Sequence, residues 1–220
     1  MKYLLYGIVR EDLAGYAPQP GIRLLTAHGL AAAVSAVEET TSPPSVSSLL
    51  AYEKVVEATH ARQAVIPLRY GCLMESESAI IRLLEDHRQE YGALLARLQG
   101  MTEMGIRVLS PARAAVLPAL PSSPGVAYLT SLRNRYNSAT ALAPEEVQLA
   151  DRIAALFSGC STEQRREVSS SSRGRLVSLY FLMPKTCVEQ FRQRAREIRL
   201  PGAAKMLLSG AWPPYNFADL

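Results

Sequence analysis

The sharpest change of hydrophobic period in the chain falls between residues 65 and 100. In residues 65–74, V-I-P-L-R-Y-G-C-L-M, the positions Ile66, Leu68, Tyr70, Cys72 and Met74 alternate with Pro67, Arg69, Gly71 and Leu73. A period of two predicts a strand half-buried against another layer. Pro67 has no N–H for a ladder, so the strand begins near it or runs along an edge there. Gly71 marks a bulge or a close backbone approach. Beyond this stretch Ile80, Leu84, His87, Tyr91, Leu94 and Leu98 recur at steps of four and three, with charged residues between them. That spacing predicts one amphipathic helix of roughly six turns. Ser76 or Ser78 can cap its start, and Gly100 sits where a C′ glycine belongs.

Elsewhere the pattern alternates between strands and helices. Lys2–Arg10 reads as a strand, and residues 11–21 as a loop. Residues 22–26 and 30–37 flank His28-Gly29, a hairpin signal, although the run Ala31-Ala32-Ala33 favours helix on propensity alone. A helix is expected from Ser45, with Ser45, Ser47 or Ser48 as its cap and Leu49, Tyr52, Val55, Val56 and Thr59 on one face. Residues 102–109 form another strand. Four prolines between 111 and 124 predict a connection, or a short helix bracketed by turns, and residues 125–136 a helix. Pro144-Glu145-Glu146 is a helix start. Strands follow at 165–172 and 175–183, the second almost uniformly apolar like a central strand. A helix over 187–198 carries Arg192, Arg194, Arg196 and Arg199 on its outer side, and a last strand covers 204–209.

This order predicts an α+β protein of two domains, 1–100 and 101–220. The second spells β-α-β-β-α-β with extra helices in the first crossover, the ferredoxin-like order. The tail, S-G-A-W-P-P-Y-N-F at 209–217, places Trp212, Tyr215 and Phe217 around Pro213 and Pro214. It is too apolar to remain in water, so it docks, on this chain in preference to a partner, and can fasten the two domains together.

Composition adds limits. Hydrophobic residues make up 48% and charged residues 20% of the 220, enough for a packed core. No apolar run approaches the ~18 residues of a membrane helix, and the opening is read as a strand rather than a signal peptide, so the expected location is the cytoplasm. Cys72, Cys160 and Cys187 are widely spaced, fitting buried reduced thiols rather than a disulfide framework or a zinc site. The three histidines, His28, His60 and His87, have no ligand partners at metal spacing, and no nucleophile or phosphate-loop motif occurs. Neither catalysis nor a metal or cofactor is therefore expected. Glu145 and Glu146 are adjacent on a helix and point apart, which suits the helix dipole better than acid–base work.

The net charge of +4 hides an asymmetry: residues 1–109 hold 10 Lys/Arg and 12 Asp/Glu, residues 110–220 hold 14 and 8. A basic half with ferredoxin-like order makes nucleic-acid binding the alternative reading, since Arg173-Gly174-Arg175 opens a strand as in RNA-recognition domains. Arg175, Val177 and Leu179 stand where stacking aromatics are needed, which argues against it.

The opening strand Y-L-L-Y-G-I-V, the segment at residues 29–35, the P-L-R-Y-G stretch with its charged helix, and the closing S-G-A-W-P-P-Y-N-F together resemble the GvpL/GvpF family of gas vesicle accessory proteins. The resemblance runs from Tyr3 to Phe217. The chain departs from the family in Ala211, where Pro is usual, and in Tyr70, where Phe is usual. The resemblance implies an accessory or assembly role without catalysis. It further implies binding of the small, very hydrophobic shell subunit GvpA and of other accessory proteins, and retention of some copies as a minor shell component. The motif residues it singles out are Pro67, Arg69, Gly71, Trp212, Pro213, Pro214, Tyr215 and Phe217. Arg69 is either a partner contact or, the favoured reading, a salt-bridge partner of the Glu75/Glu77 region.

Overall fold

The computed structural model describes residues 2–13, 19–38, 45–110, 144–171, 174–200 and 204–219. The predicted helix at 125–136 and the proline-rich connection lie outside them. The fold is mixed α+β, with two antiparallel sheets and five helices among the described residues. The chain divides into two compact units, Met1–Glu103 with Ala211–Leu220, and Met104–Gly210.

The first unit is organised on β1 (Lys2–Arg10), which is buried along seven consecutive positions. β2 (Arg23–Ala27), β3 (Leu30–Val37) and β4 (Ile66–Pro67) complete the order β2-β3-β1-β4, and β5 (Leu73–Met74) also pairs with β1. The β2–β3 turn is the expected His28-Gly29, with φ of 53° and 82°. Two successive positive values are the geometry that matches hairpin twist. Ala31, Ala32 and Ala33 lie in β3 despite their helix propensity and are no more than 1% exposed. Tertiary burial between β2 and β1 outweighs a propensity worth a few tenths of a kcal/mol per residue, roughly.

The 65–74 stretch differs from the predicted continuous strand. It forms two short strands, both on β1, separated by a turn at Tyr70-Gly71. Leu68 N donates to Tyr6 O at 3.0 Å and Leu5 N to Cys72 O at 2.9 Å, so pairing persists on both sides while residues 69–71 loop out. Gly71 has φ 94°, and no atom lies within 4 Å of where a Cβ would stand, which makes the glycine a conformational requirement of the turn rather than a close approach. Pro67 lies at the sheet edge, opposite Gly7.

α1 (Val46–Arg62) is capped by Ser45, whose hydroxyl accepts from Ser48 N. It packs Tyr52, Val55 and Val56 against Leu4, Tyr6 and Ala33. The expected six-turn helix is two helices, α2 (Glu77–Asp86) and α3 (Arg88–Leu98), parted at His87 with φ −105° and ψ 17°. Its ring meets Glu90 Oε2 through Nδ1 at 2.9 Å and stacks on Tyr91 at 5.2 Å, side-chain contacts along the first turn of α3. Ser76 is the observed cap of α2, and Gly100, just past α3, has φ 72° as a C′ glycine should. Tyr3 and Arg23 both reach Glu77 Oε1, at 2.9 and 2.6 Å, fastening α2 to β1 and β2.

In the second unit the order is β7-β8-β6-β9, built from β6 (Met101–Ser110), β7 (Glu163–Ser171), β8 (Gly174–Pro184) and β9 (Lys205–Trp212). β9 continues three residues beyond the expected end and takes Trp212 with it. β8 is interior as its apolar sequence implies. Alternate residues of β6 (Met104, Ile106, Val108) and β8 (Val177, Leu179, Phe181, Met183) face α4 (Pro144–Leu156) and α5 (Val188–Glu197). Phe157 stacks on Phe191 at 4.0 Å, and Phe181 meets both edge-on at 5.2 and 5.1 Å.

Gly7 shows how tightly β1 and β4 approach. A Cβ there would stand 2.7 Å from Val65 Cγ2 and 2.9 Å from Ile66 O. Gly7→Ala is therefore expected to lower unfolding stability by about 1–3 kcal/mol, as overpacking does. An unchanged denaturation midpoint would show that β4 can give way.

Candidate partner-binding site

The motif residues of the sequence fall at two places in the first unit, and Tyr52 of α1 is close to both. Its ring stacks on Tyr6 at 4.7 Å and meets Tyr70 edge-on at 5.2 Å. Its hydroxyl lies 2.8 Å from the carbonyl oxygens of both Leu5 and Leu68, sharing one proton between β1 and the chain leaving β4. Burial pushes the Tyr52 phenol well above its ordinary value, with a further push from Tyr215. The neutral, donating form is the one the fold requires.

The 69–71 turn stands out from this support. Arg69, Tyr70 and Gly71 are exposed, and Pro67 is buried behind them. The expected salt bridge from Arg69 to Glu75 or Glu77 is absent. Lys2 takes Glu75 at 3.0 Å and Arg23 takes Glu77. The Arg69 side chain makes no hydrogen bond or ion pair among the described residues. Projection on the turn carries it away from both acids.

The tail docks within the same unit. Pro213 and Pro214, which cannot donate to a ladder, end β9 and are buried. The chain then closes a 3-10 turn, Tyr215–Phe217, with Phe217 fully buried. Four polar contacts hold it. Thr102 Oγ1 donates to Trp212 O at 2.9 Å, and Arg97 Nη2 to Phe217 O at 2.6 Å. Asn216 gives its backbone N–H to Glu103 Oε2 at 2.8 Å and its side-chain amide to Glu103 Oε1 at 2.6 Å. Glu103 is only 4% exposed, so these donors replace the water its carboxylate has lost. Tyr215 packs against the Tyr6–Tyr52 cluster, and burial, with Glu53, Glu57 and Glu103 nearby, keeps its phenol protonated. Trp212 remains 40% exposed at the start of this segment.

Thr102, Glu103, Arg97 and Asn216 were not singled out by the sequence. One signal was available: Glu103 is the only acid in a strand whose neighbours are buried on both faces. Among the described residues no group of three or more His, Cys, Asp or Glu is placed to hold a metal ion. Val177 and Leu179, at the positions where an RNA-recognition strand stacks bases, are buried in the second core at 2% and 3% exposure.

The family model described as gas vesicle synthesis protein GvpL/GvpF matches residues 2–219. Gas vesicle protein F of a Streptomyces species is 23% identical, with 100% of both chains covered. Gas vesicle protein L of the same source is 25% identical, covering 97% of this chain and 89% of its own. Gas vesicle protein F2 of Halobacterium salinarum is 23% identical over 98% of this chain and 91% of its own. Among solved structures, gas vesicle protein GvpF from Microcystis aeruginosa superposes with a TM-score of 0.73 at 19% identity, covering 100% of this chain and 99% of that one. GvpF from Anabaena gives 0.69 at 16% identity, covering 100% and 96%.

Two measurements check the site. Phe217→Ala is expected to cost about 3–5 kcal/mol of unfolding free energy, and Glu103→Ala to free the tail for proteolysis. A protease-resistant tail in both variants would refute this docking. Tyr52 and Tyr215 have raised folded-state values, so the stability they contribute is complete below the ordinary value of 10.0 and is lost as pH rises beyond it. Tyrosinate absorbance should accordingly show these two phenols ionising only as the unit unfolds, with one fewer in Tyr52→Phe.

Proposed function

Because the chain belongs to the gas vesicle synthesis family GvpL/GvpF, matched over residues 2–219, we propose that it serves gas vesicles by binding the hydrophobic shell subunit GvpA and other accessory proteins in the cytoplasm. Some copies then stay as a minor structural component. The family supplies the accessory role; the rest is an inference from surfaces.

β9 supports the GvpA reading best. It is an edge strand eight residues long, with Leu207 59% exposed and Trp212 40% exposed. A shell subunit with exposed apolar strands needs its edges covered before assembly, and an added strand on β9 would do so through backbone hydrogen bonds. The β4/β5 edge of the first sheet is guarded: each strand is two residues long, with Pro67 in one and the outward turn between them. The Arg69–Tyr70 turn and Trp212 are the side-chain contacts we assign to this or a second accessory partner.

The two compact units are proposed to act as domains. The order β6-α4-β7-β8-α5-β9 and its sheet order β7-β8-β6-β9 favour a ferredoxin-like reading of the second.

Immobilised GvpA should retain the wild-type chain, and Leu207→Asp should weaken retention about tenfold or more without lowering the unfolding midpoint. Retention of the variant at wild-type strength removes β9 as the contact. A wild-type chain that ignores GvpA but binds an oligonucleotide with a steep salt dependence reverses the reading.

A further inference from the structure

The outer face of α1 carries apolar residues where a solvent-facing helix is ordinarily polar. Val46 is 73% exposed, Leu49 38% and Leu50 53%. At about 100° per residue these three share one face of the helix. Glu53 and Glu57, both exposed, continue that face one and two turns further on. The inward face, with Tyr52, Val55 and Val56, is already used by the first core. Neither Glu53 nor Glu57 has an ion pair among the described residues.

The second unit has the matching concavity. A groove of about 610 Å3 lies between α4 and the residues that follow α5. Leu149, Ile153, Leu156 and Ile198 make it apolar, and the exposed Arg152 and Arg199 flank it, with Glu197 the one acid there. Leu156 is 50% exposed, so the groove is open. Arg152 has no ion pair among the described residues, and Arg199 donates only to the carbonyl of Arg196, at 3.2 Å. Two guanidiniums beside an apolar floor suit an apolar stripe followed by carboxylates, the sequence order found on α1. The two halves of the chain differ in the same sense, 10 Lys/Arg against 12 Asp/Glu in residues 1–109 and 14 against 8 in residues 110–220.

We propose that α1 of one copy seats in the α4–α5 groove of a second copy. Val46, Leu49 and Leu50 cover the apolar floor, and Glu53 and Glu57 meet Arg152 and Arg199. The two patches are different surfaces, so the contact is heterologous. Each pairing leaves one stripe and one groove unused, and copies add head to tail until a ring closes or a short filament forms. The assignment is independent of which shell or accessory protein the chain binds.

Sedimentation of the full chain tests it. The wild-type weight-average mass should rise above 24.0 kDa as concentration increases. Leu50→Asp and Leu156→Asp, both at exposed positions, should each associate about thirtyfold or more weakly, with unfolding midpoints unchanged. An equimolar mixture of the two variants should regain a complex that stops at a pair, because one intact stripe and one intact groove remain. Glu53→Arg should be rescued by Arg152→Glu and not by a second stripe variant. A 24.0 kDa mass at every concentration overturns the proposal, whether the groove stays empty or is filled by another protein or from within the chain. Failure of the mixture to pair while each variant is folded overturns it equally, since that result belongs to a stripe-on-stripe dimer.

Discussion

A carboxylate buried at the beginning of β6 imposes the strongest constraint on the first unit. Glu103 has been taken out of water and keeps its charge solvated with donors from Asn216, 113 residues further along the chain. Leaving such a group without donors costs several kcal/mol, roughly, more than an exposed ion pair returns. Asn216 is one source of those donors, and Pro213-Pro214 and the 3-10 turn are the local means by which the tail brings it there. The fully buried Phe217 then adds apolar area to a closure that the polar contacts orient.

The same logic accounts for Tyr52. A phenol stacked among Tyr6 and Tyr70 supplies area, and its single hydroxyl adds a tie between β1 and the chain leaving β4, beside their own backbone pairing. The turn that carries Arg69 is backed by this residue as well as closed by its own Cys72 N–H donating to Arg69 O at 3.3 Å. Arg69 has no hydrogen bond or ion pair among the described residues, so its guanidinium stands free on a turn with rigid backing, the basis of the proposal that it meets a partner. The tail and the turn thus share a support, which gives two motifs far apart in sequence a common physical anchor.

The surfaces left over divide by chemistry. The β9 edge offers backbone groups and an exposed leucine, suited to an extended apolar segment. The α1 stripe and the α4–α5 groove offer side chains of opposite charge around apolar centres, suited to each other.

Local sequence was enough for the elements whose period and caps are self-contained. β1, the His28-Gly29 turn, α1 with a serine cap among Ser45, Ser47 and Ser48, and the apolar β8 follow from apolar pattern, capping chemistry and turn dihedrals, all settled within a few residues. The family resemblance also rests on sequence alone, because its motifs are contiguous. Tertiary structure decided the rest. The 65–74 stretch became two strands around a turn because β1 offers pairing on either side of an excursion that period-two alternation cannot reveal. The long helix parted at His87, a break that its unbroken apolar spacing does not mark. Three alanines became strand because burial between β1 and β2 outweighs their helix propensity. Arg69 lost its expected acids to Lys2 and Arg23, and Glu103 found Asn216. Apart from the His87 break, the deciding partner lies outside the local window, and hydrophobic period and propensity carry no information about which distant polar group a buried one will meet.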